Sequence, residues 1–145
     1  MVVALIAIIG GVGLWTVIRQ VPGFRLNYAA TQVLGDLRRA RAQAVSENLP
    51  VEFSFLEDGS GYTLWTDRDE DGQRDPDELV TIRFPDDLAG HRVTGAPMGG
   101  VFHPRGTFTP GGDSNTMLVT ITSPTGTARH ILVAPSGLAD PSFTP

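Results

Sequence analysis

The chain has 145 residues, which is long enough for one small domain with a single core plus an appendage, and too short for two ordinary domains. It contains no cysteine, so a disulfide framework, a zinc–thiolate cluster and a thiol nucleophile are all excluded. The formal net charge is -5 and all 11 basic residues are arginines, a balance that argues against a nucleic-acid partner, because nucleic-acid-binding domains usually carry a net basic face.

The first segment, Met1–Ile18, has no charged residue. As a helix it would span about 27 Å, close to the hydrocarbon core of a bilayer at about 30 Å. Trp15 and Arg19 are residue types that suit a membrane–water interface. Three glycines, costly in a water-soluble helix but common where membrane helices pack closely, lie in the same segment: Gly10, Gly11 and Gly13.

Two alternatives compete with a membrane anchor here. A secretory signal peptide should have a basic stretch before its apolar region and a small-residue cleavage site after it, whereas this chain continues as Arg19-Gln20-Val21-Pro22. A buried core helix is disfavoured, because the rest of the chain has an apolar pattern sufficient for its own core. We therefore expect residues 1–24 to form a transmembrane or filament-core helix.

A second, amphipathic helix is predicted over residues 25–48. Its apolar residues recur at spacings of three and four and so lie on one stripe: Leu26, Ala30, Val33, Leu37, Ala40 and Ala44. Polar residues off that stripe are expected to face solvent or a neighbouring subunit: Arg38, Arg39, Arg41 and Gln43. Asn48 and Pro50 should end the helix, and Pro22 should kink its junction with the first segment.

The remainder, about residues 51–134, reads as strands and turns. Five segments have strand composition and are bounded by turn residues: Val51–Phe55, Tyr62–Thr66, Leu79–Phe84, Met117–Ile121 and Ala128–Val133. Shorter strands are expected near Val101-Phe102 and Thr107-Phe108. Hairpin turns are predicted at Asp58–Gly61 and Ser123–Gly126. The predicted fold is α+β, with a long N-terminal helix packed on a small antiparallel sheet and a globular domain over residues 25–145.

Four strings resemble segments of the GspH/FimT minor pseudopilins, a type IV pilin-like family. Ala29–Ala44 is similar to the amphipathic helix of that family, and Trp65–Glu78 to its acidic hairpin. Phe102–Gly106 and Ile131–Gly137 resemble its two late strand-turn motifs. The order and spacing of these strings also agree, so the chain is identified as a member of this family.

The resemblance implies a structural subunit, a pilin or minor pseudopilin of a type IV pilus or a type II secretion pseudopilus, and not an enzyme. The implied partners are other pilin or pseudopilin subunits, contacted through the N-terminal helix, and the inner membrane before assembly. The implied location is a single-pass inner-membrane protein with a periplasmic domain, or an extracellular pilus. The alternative is a pilus-tip module that binds a secreted protein, a surface or DNA.

Two departures from the family pattern stand out. Mature pilin helices carry a glutamate near their start; if Met1 is the first residue of the processed chain, Leu5 occupies that position, and otherwise the chain begins inside the helix. Pro22 lies where mature pilins often have a proline. At the other end of the chain, Leu138–Pro141 has no basic residue. The positive charges that would bind the phosphates of DNA are therefore missing at that corner.

The segment Asp67–Glu78 holds seven acidic residues and two arginines. Its spacing matches a calcium-binding loop, with oxygen ligands at positions 1, 3, 5, 7, 9 and 12 and glycine at position 6. The candidate ligands are Asp67, Asp69, Asp71, Gln73, Asp75 and Glu78. The loop joins two strands instead of two helices, and Arg74 replaces the usual apolar residue at position 8. The alternative is a solvated acidic hairpin without an ion.

Other candidate motifs lack the surrounding residues that a catalytic, metal or phosphate site requires. Gly112-Asp113-Ser114 resembles an esterase string, but no strand-to-helix elbow surrounds it. The three histidines, His91, His103 and His130, are not paired at spacings typical of a zinc site. No phosphate-binding glycine loop is present.

Overall fold

A computed structural model describes residues 2–142, with side chains for residues 23–141, and shows one long helix followed by strands. The helix, α1, spans Val2–Glu47. It ends where predicted, since Asn48 adopts a left-handed backbone with φ of 56°. The strands are β1 Val51–Phe55, β2 Gly61–Trp65, β3 Leu79–Arg83, β4 Arg92–Ala96, β5 Gly99–Phe102, β6 Phe108–Pro110, β7 Met117–Thr122, β8 Ala128–Val133 and β9 Ala139–Ser142, with a short 3-10 helix at Asp86–Leu88 between β3 and β4.

The described strands form two antiparallel sheets, ordered β3-β2-β1-β5-β6 and β4-β7-β8-β9. The five strands predicted from the sequence are confirmed to within one residue, and so are the hairpin turns after β1 and β7. The antiparallel strands are divided between two sheets, because β7 and β8 pair with each other and with the unpredicted edge strands β4 and β9 instead of joining the sheet that contains β1. Helix α1 contacts strands of both sheets, which confirms the α+β arrangement.

The inner face of α1 supplies a large share of the core. Six residues on this face are at most 2% exposed: Leu26, Ala29, Val33, Leu37, Ala40 and Ala44. Ala30, predicted on this stripe, is only partly buried. It borders an open groove of about 220 Å³ between α1 and β8, where the sheet does not close over it.

One carboxylate of α1 is buried with a tyrosine of β2. The hydroxyl of Tyr62 donates to Asp36 Oδ2 at 2.5 Å, and the Tyr62 ring stacks on Phe53 at a centroid distance of 4.9 Å. Burial, followed by the hydrogen bond to Asp36, raises the pKa of Tyr62. Asp36 also accepts from Arg39 at 3.2 Å, so this buried charge has the partners that burial demands.

Arg41 links the helix to two turns, although it was predicted to face solvent or a neighbouring subunit. It is half-buried, and its Nε donates to the Gly106 carbonyl at 2.9 Å. Gly137 packs against the same carbonyl with φ of 72°, and a Cβ there would overlap the Gly106 oxygen. The prediction for Arg41 is wrong because the turns after β5 and β8 meet beneath this part of α1.

Candidate functional site

The first half of α1 carries the predicted anchor. The helix is continuous through Pro22, and the predicted kink there remains a prediction. Seven residues predicted for the membrane or filament have side chains outside the described part of the chain: Met1, Leu5, Gly10, Gly11, Gly13, Trp15 and Pro22. Within the part that the structure does describe, no helix is both long and apolar enough to cross a membrane.

The outer face of α1 lies opposite the buried stripe and is exposed along its described length. Phe24 and Tyr28, one turn apart on this face, are 69% and 57% exposed. Val45, 51% exposed, lies on the flank of the helix beside the Gly106 turn. Small residues lie between them, with Gly35 and Ala42 also exposed. This face was not predicted from the sequence, although the four-residue spacing of its two aromatic residues, off the apolar stripe, was a signal that could have revealed it.

The loop between β2 and β3 brings together three of the six predicted calcium ligands. Carboxylate oxygens of Asp67, Asp69 and Asp71 all lie within 4.8 Å of one another. The loop turns at Gly72, whose φ of 73° favours glycine, and the Gly72 N–H donates to Asp67 Oδ2 at 3.0 Å. Predicted positions 1, 3 and 5 therefore converge on one side of the turn.

Glu78, at the last predicted position, lies beneath the same loop. It is 7% exposed. Its Oε1 accepts from the N–H groups of Arg68 and Asp69, the latter at 3.3 Å. Its Oε2 is buried without a hydrogen-bond partner among the described residues, and the same holds for Asp67 Oδ1. The sequence predicted Glu78 as a ligand but gave no sign that it would be buried.

The remaining two predicted ligands lie further along the loop. Gln73 is exposed; its N–H donates to Asp71 Oδ1 at 2.7 Å. The backbone carbonyl of Asp75 accepts from the N–H of Glu78 at 3.1 Å, which leads the chain back to the sheet. All six predicted ligand positions therefore lie in or directly beside the turn that joins β2 and β3.

The carboxylates of the loop disfavour one another electrostatically. Desolvation, and then neighbouring charges including those of Asp71 and Glu78, raise the pKa of Asp75. The N–H of Asp71 lowers the pKa of Asp69 by donating to its carboxylate, but desolvation and the surrounding carboxylates outweigh this, and the net shift is upward. Both directions are those expected when negative charges are crowded together.

Two arginines of the loop bind acids outside it. Arg74 pairs with Glu52 on β1, and its guanidinium lies 5.3 Å from the centre of the Trp65 ring. Arg68 pairs with Glu47 at the end of α1 at 3.4 Å. The loop is therefore tied to the sheet and the helix through its two arginines, although Arg74 stands where a calcium-binding loop usually has an apolar residue.

The described histidines have separate local partners. His91 Nδ1 lies 3.0 Å from the Leu88 carbonyl, His103 Nε2 lies 2.9 Å from Thr109 Oγ1, and His130 Nδ1 lies 3.1 Å from Thr120 Oγ1. Each of these contacts is within or beside a strand or turn. The histidines serve local structure and do not converge on a common site.

Comparison with known proteins agrees with this architecture. Residues 29–137 match the family model for type II transport protein GspH. The structure resembles the type IV minor pilin FimU of Pseudomonas aeruginosa, with a TM-score of 0.60, 19% identity and coverage of 81% of this chain and 88% of FimU. It also resembles the minor pseudopilin EpsH from the type 2 secretion system of Vibrio cholerae, with a TM-score of 0.58, 12% identity and coverage of 81% and 95%.

No curated protein sequence matches the chain significantly. The two structural likenesses show the type IV pilin-like fold, and the family model covers the inner face of α1 from Ala29 onward, the acidic loop and both late turns. The chain therefore belongs to the GspH family, a family of structural subunits of the pilin and pseudopilin type.

Proposed function

We propose that this chain is anchored in the inner membrane by the first half of α1, and that it then packs this helix among other pilin or pseudopilin subunits of a filament. The family supports the filament class. The composition of Met1–Ile18, which has no charged residue, supports the anchor. A helix of 46 residues spans about 69 Å, long enough to join a bilayer or filament core to the globular domain.

The two faces of α1 carry this proposal. The inner face is used within the subunit, because Leu26, Val33 and Leu37 are buried against the sheets. The outer face exposes Phe24 and Tyr28 to a degree unusual for large aromatic residues on a helix. The exposed Gly35 allows a neighbouring backbone to approach closely. Another subunit's helix is the occupant that fits this long, narrow face, whose aromatic and small residues are interrupted by the exposed Arg38 and Arg39.

Photo-crosslinking in the native host tests this packing. Benzoylphenylalanine in place of Tyr28 should form covalent adducts with pilin-type proteins, and the crosslinked peptides should come from their N-terminal helices. The matched control places the same group at Glu57, an exposed position in the turn after β1. That position lies away from the outer face and should give few helix adducts.

The outcome separates a filament subunit from a binding module. Adducts between position 28 and pilin helices, absent at position 57, would support the proposal. Equal yields at both positions, or adducts formed only with a secreted protein outside the pilin class, would contradict it.

A further inference from the structure

The acidic loop between β2 and β3 ends in a buried carboxylate with an unsatisfied oxygen. Glu78 is 7% exposed, and its Oε2 has no hydrogen-bond partner in the part of the chain that the structure describes. Burying an ionised carboxylate is strongly unfavourable unless each oxygen meets a donor or a cation. The loop N–H groups of Arg68 and Asp69 satisfy only Oε1.

At the opposite end of the loop, Asp67 also has a buried oxygen without a hydrogen-bond partner in the described part of the chain. Asp67 Oδ2 accepts from the Gly72 N–H at 3.0 Å, whereas Asp67 Oδ1 is buried without a partner among the described residues. The two arginines within the loop do not compensate for these oxygens, because Arg68 pairs with Glu47 and Arg74 pairs with Glu52. The loop thus presents uncompensated negative charge on its inner side.

The spacing of the aspartates fits a single calcium ion. Calcium binds oxygen at about 2.3–2.6 Å, so two ligand oxygens on one ion are at most about 4.6–5.2 Å apart. Oxygens of Asp67, Asp69 and Asp71 lie within 4.8 Å of one another. We propose that the β2–β3 loop binds one calcium ion through these three carboxylates, and that Glu78, which lies beside them against the Asp69 N–H but outside the trio, is drawn in as the fourth carboxylate.

The rest of the loop suits this ion better than other metals. The Gln73 carbonyl at position 7 and Asp75 at position 9, through water, would bring the oxygen ligands to the six or more that calcium takes. Magnesium requires a stricter octahedral arrangement and sheds water reluctantly. Zinc and copper favour nitrogen and sulfur ligands, and the Asp67–Glu78 segment has neither histidine nor cysteine.

Calcium binding would connect the loop to the end of α1. The ion would hold Glu78, which directly precedes β3, close to Asp67, which follows β2 by two residues. Arg68 lies next to Asp67 and pairs with Glu47 in the last turn of the helix. The ion would therefore fix the loop both to the sheet and to the helix that enters the filament. This role is independent of which neighbour the outer face of α1 contacts.

Thermal unfolding of the full chain, purified in detergent, provides the first test. At a free calcium concentration about 100 times Kd, the melting temperature should rise by roughly 5–10 °C relative to the same protein in EDTA. Magnesium at equal concentration should raise it by less than half as much. Equal melting temperatures in calcium and EDTA, or an equal response to magnesium, would overturn the proposal.

Two variants distinguish an ion site from a merely structural loop. Asp71→Asn changes an exposed ligand and should fold normally while losing most of the response to calcium. Glu78→Gln should also lose the response, yet its melting temperature in EDTA should equal or exceed that of the parent, because an unpaired buried charge has been removed. The matched control, Asp113→Asn, alters an exposed aspartate outside the loop and should keep the full response.

A direct readout comes from Trp65, which lies beside the loop against Arg74. Terbium can replace calcium, and bound terbium should luminesce when tryptophan is excited. The luminescence should saturate at one terbium ion per chain. Calcium should displace it, and Asp71→Asn should abolish the signal. Undiminished terbium luminescence or an intact calcium shift in Asp71→Asn would show that any cation binds elsewhere, and the proposal would fall.

Discussion

At the residue scale, Arg41 joins three segments that are distant in the sequence. Its guanidinium reaches from α1 to the Gly106 carbonyl in the turn after β5, and Gly137 from the turn after β8 packs against both. The N–H of Phe108 completes the corner by donating to the Pro135 carbonyl at 2.9 Å. The two late motifs that resemble the GspH/FimT family therefore have a common structural reason, because they meet at one arginine of the helix.

This corner predicts an unequal effect of two arginine substitutions. Arg41→Ala should lower the free energy of unfolding by about 1.5–3 kcal/mol, because it removes a charged donor and leaves a backbone carbonyl unpaired. Arg105→Ala, in the adjoining turn but exposed, should change it by less than about 0.5 kcal/mol. Urea denaturation of both variants measures the difference, and similar losses would disprove the assigned role of Arg41.

At the element scale, α1 uses its two faces differently. The inner face is buried to the same degree from Leu26 to Ala44, which makes the helix part of the core of the domain. The outer face has room for added atoms, since nothing lies within 4 Å of a Cβ placed on Gly35. Stability within one subunit therefore depends on the inner face, and the proposed contacts between subunits would use the outer face.

Substitutions on the two faces should have effects of opposite sign. Leu37→Asp should destabilise the domain by several kcal/mol, because an unpaired charge would be buried in the core. Gly35→Ala should stabilise it by about 0.5–1 kcal/mol, because alanine is the better helix former and meets no neighbour. Differential scanning calorimetry checks both; a destabilising Gly35→Ala would mean that this face is already covered within the subunit.

Most elements could be predicted because their signals are local. The spacing of apolar residues in α1, the left-handed stop at Asn48 and the alternation in β1 depend on neighbouring residues alone. By contrast, β4 and β9 contain Gly95 and Pro141, which local rules count against a strand. Both strands are edges of their sheet, where proline is tolerated and pairing with a neighbour supplies the structure.

The candidate calcium site could be predicted in part for the same reason. The spacing from Asp67 to Glu78 is visible in the sequence, and three of its aspartates lie close together in the structure. The burial of Glu78 was not predictable, because it depends on how the loop folds back on the N–H groups of Arg68 and Asp69. The contact of Arg74 with Trp65 was missed since it requires the loop to lie against β2.

At the scale of the whole molecule, the proposed role of α1 is to connect a membrane or filament core to the globular domain. The globular domain has its own buried core from Leu26 onward, so it should not depend on the first half of α1 for folding. Removal of residues 1–22 should yield a protein that is soluble without detergent and unfolds cooperatively. Circular dichroism and sedimentation velocity measure this. Aggregation of the shortened chain, with a full-length chain soluble in plain buffer, would refute the anchor.

Incorporation into filaments tests the central claim most directly. Filaments sheared from cells that produce the full chain should contain it alongside the other pilin or pseudopilin subunits, at a level measured by quantitative mass spectrometry. The chain without residues 1–22, exported to the periplasm at equal abundance, should be absent from the same fraction. Absence of the full chain from the filaments, or equal incorporation of the shortened one, would contradict the assignment of α1 as the filament-forming element.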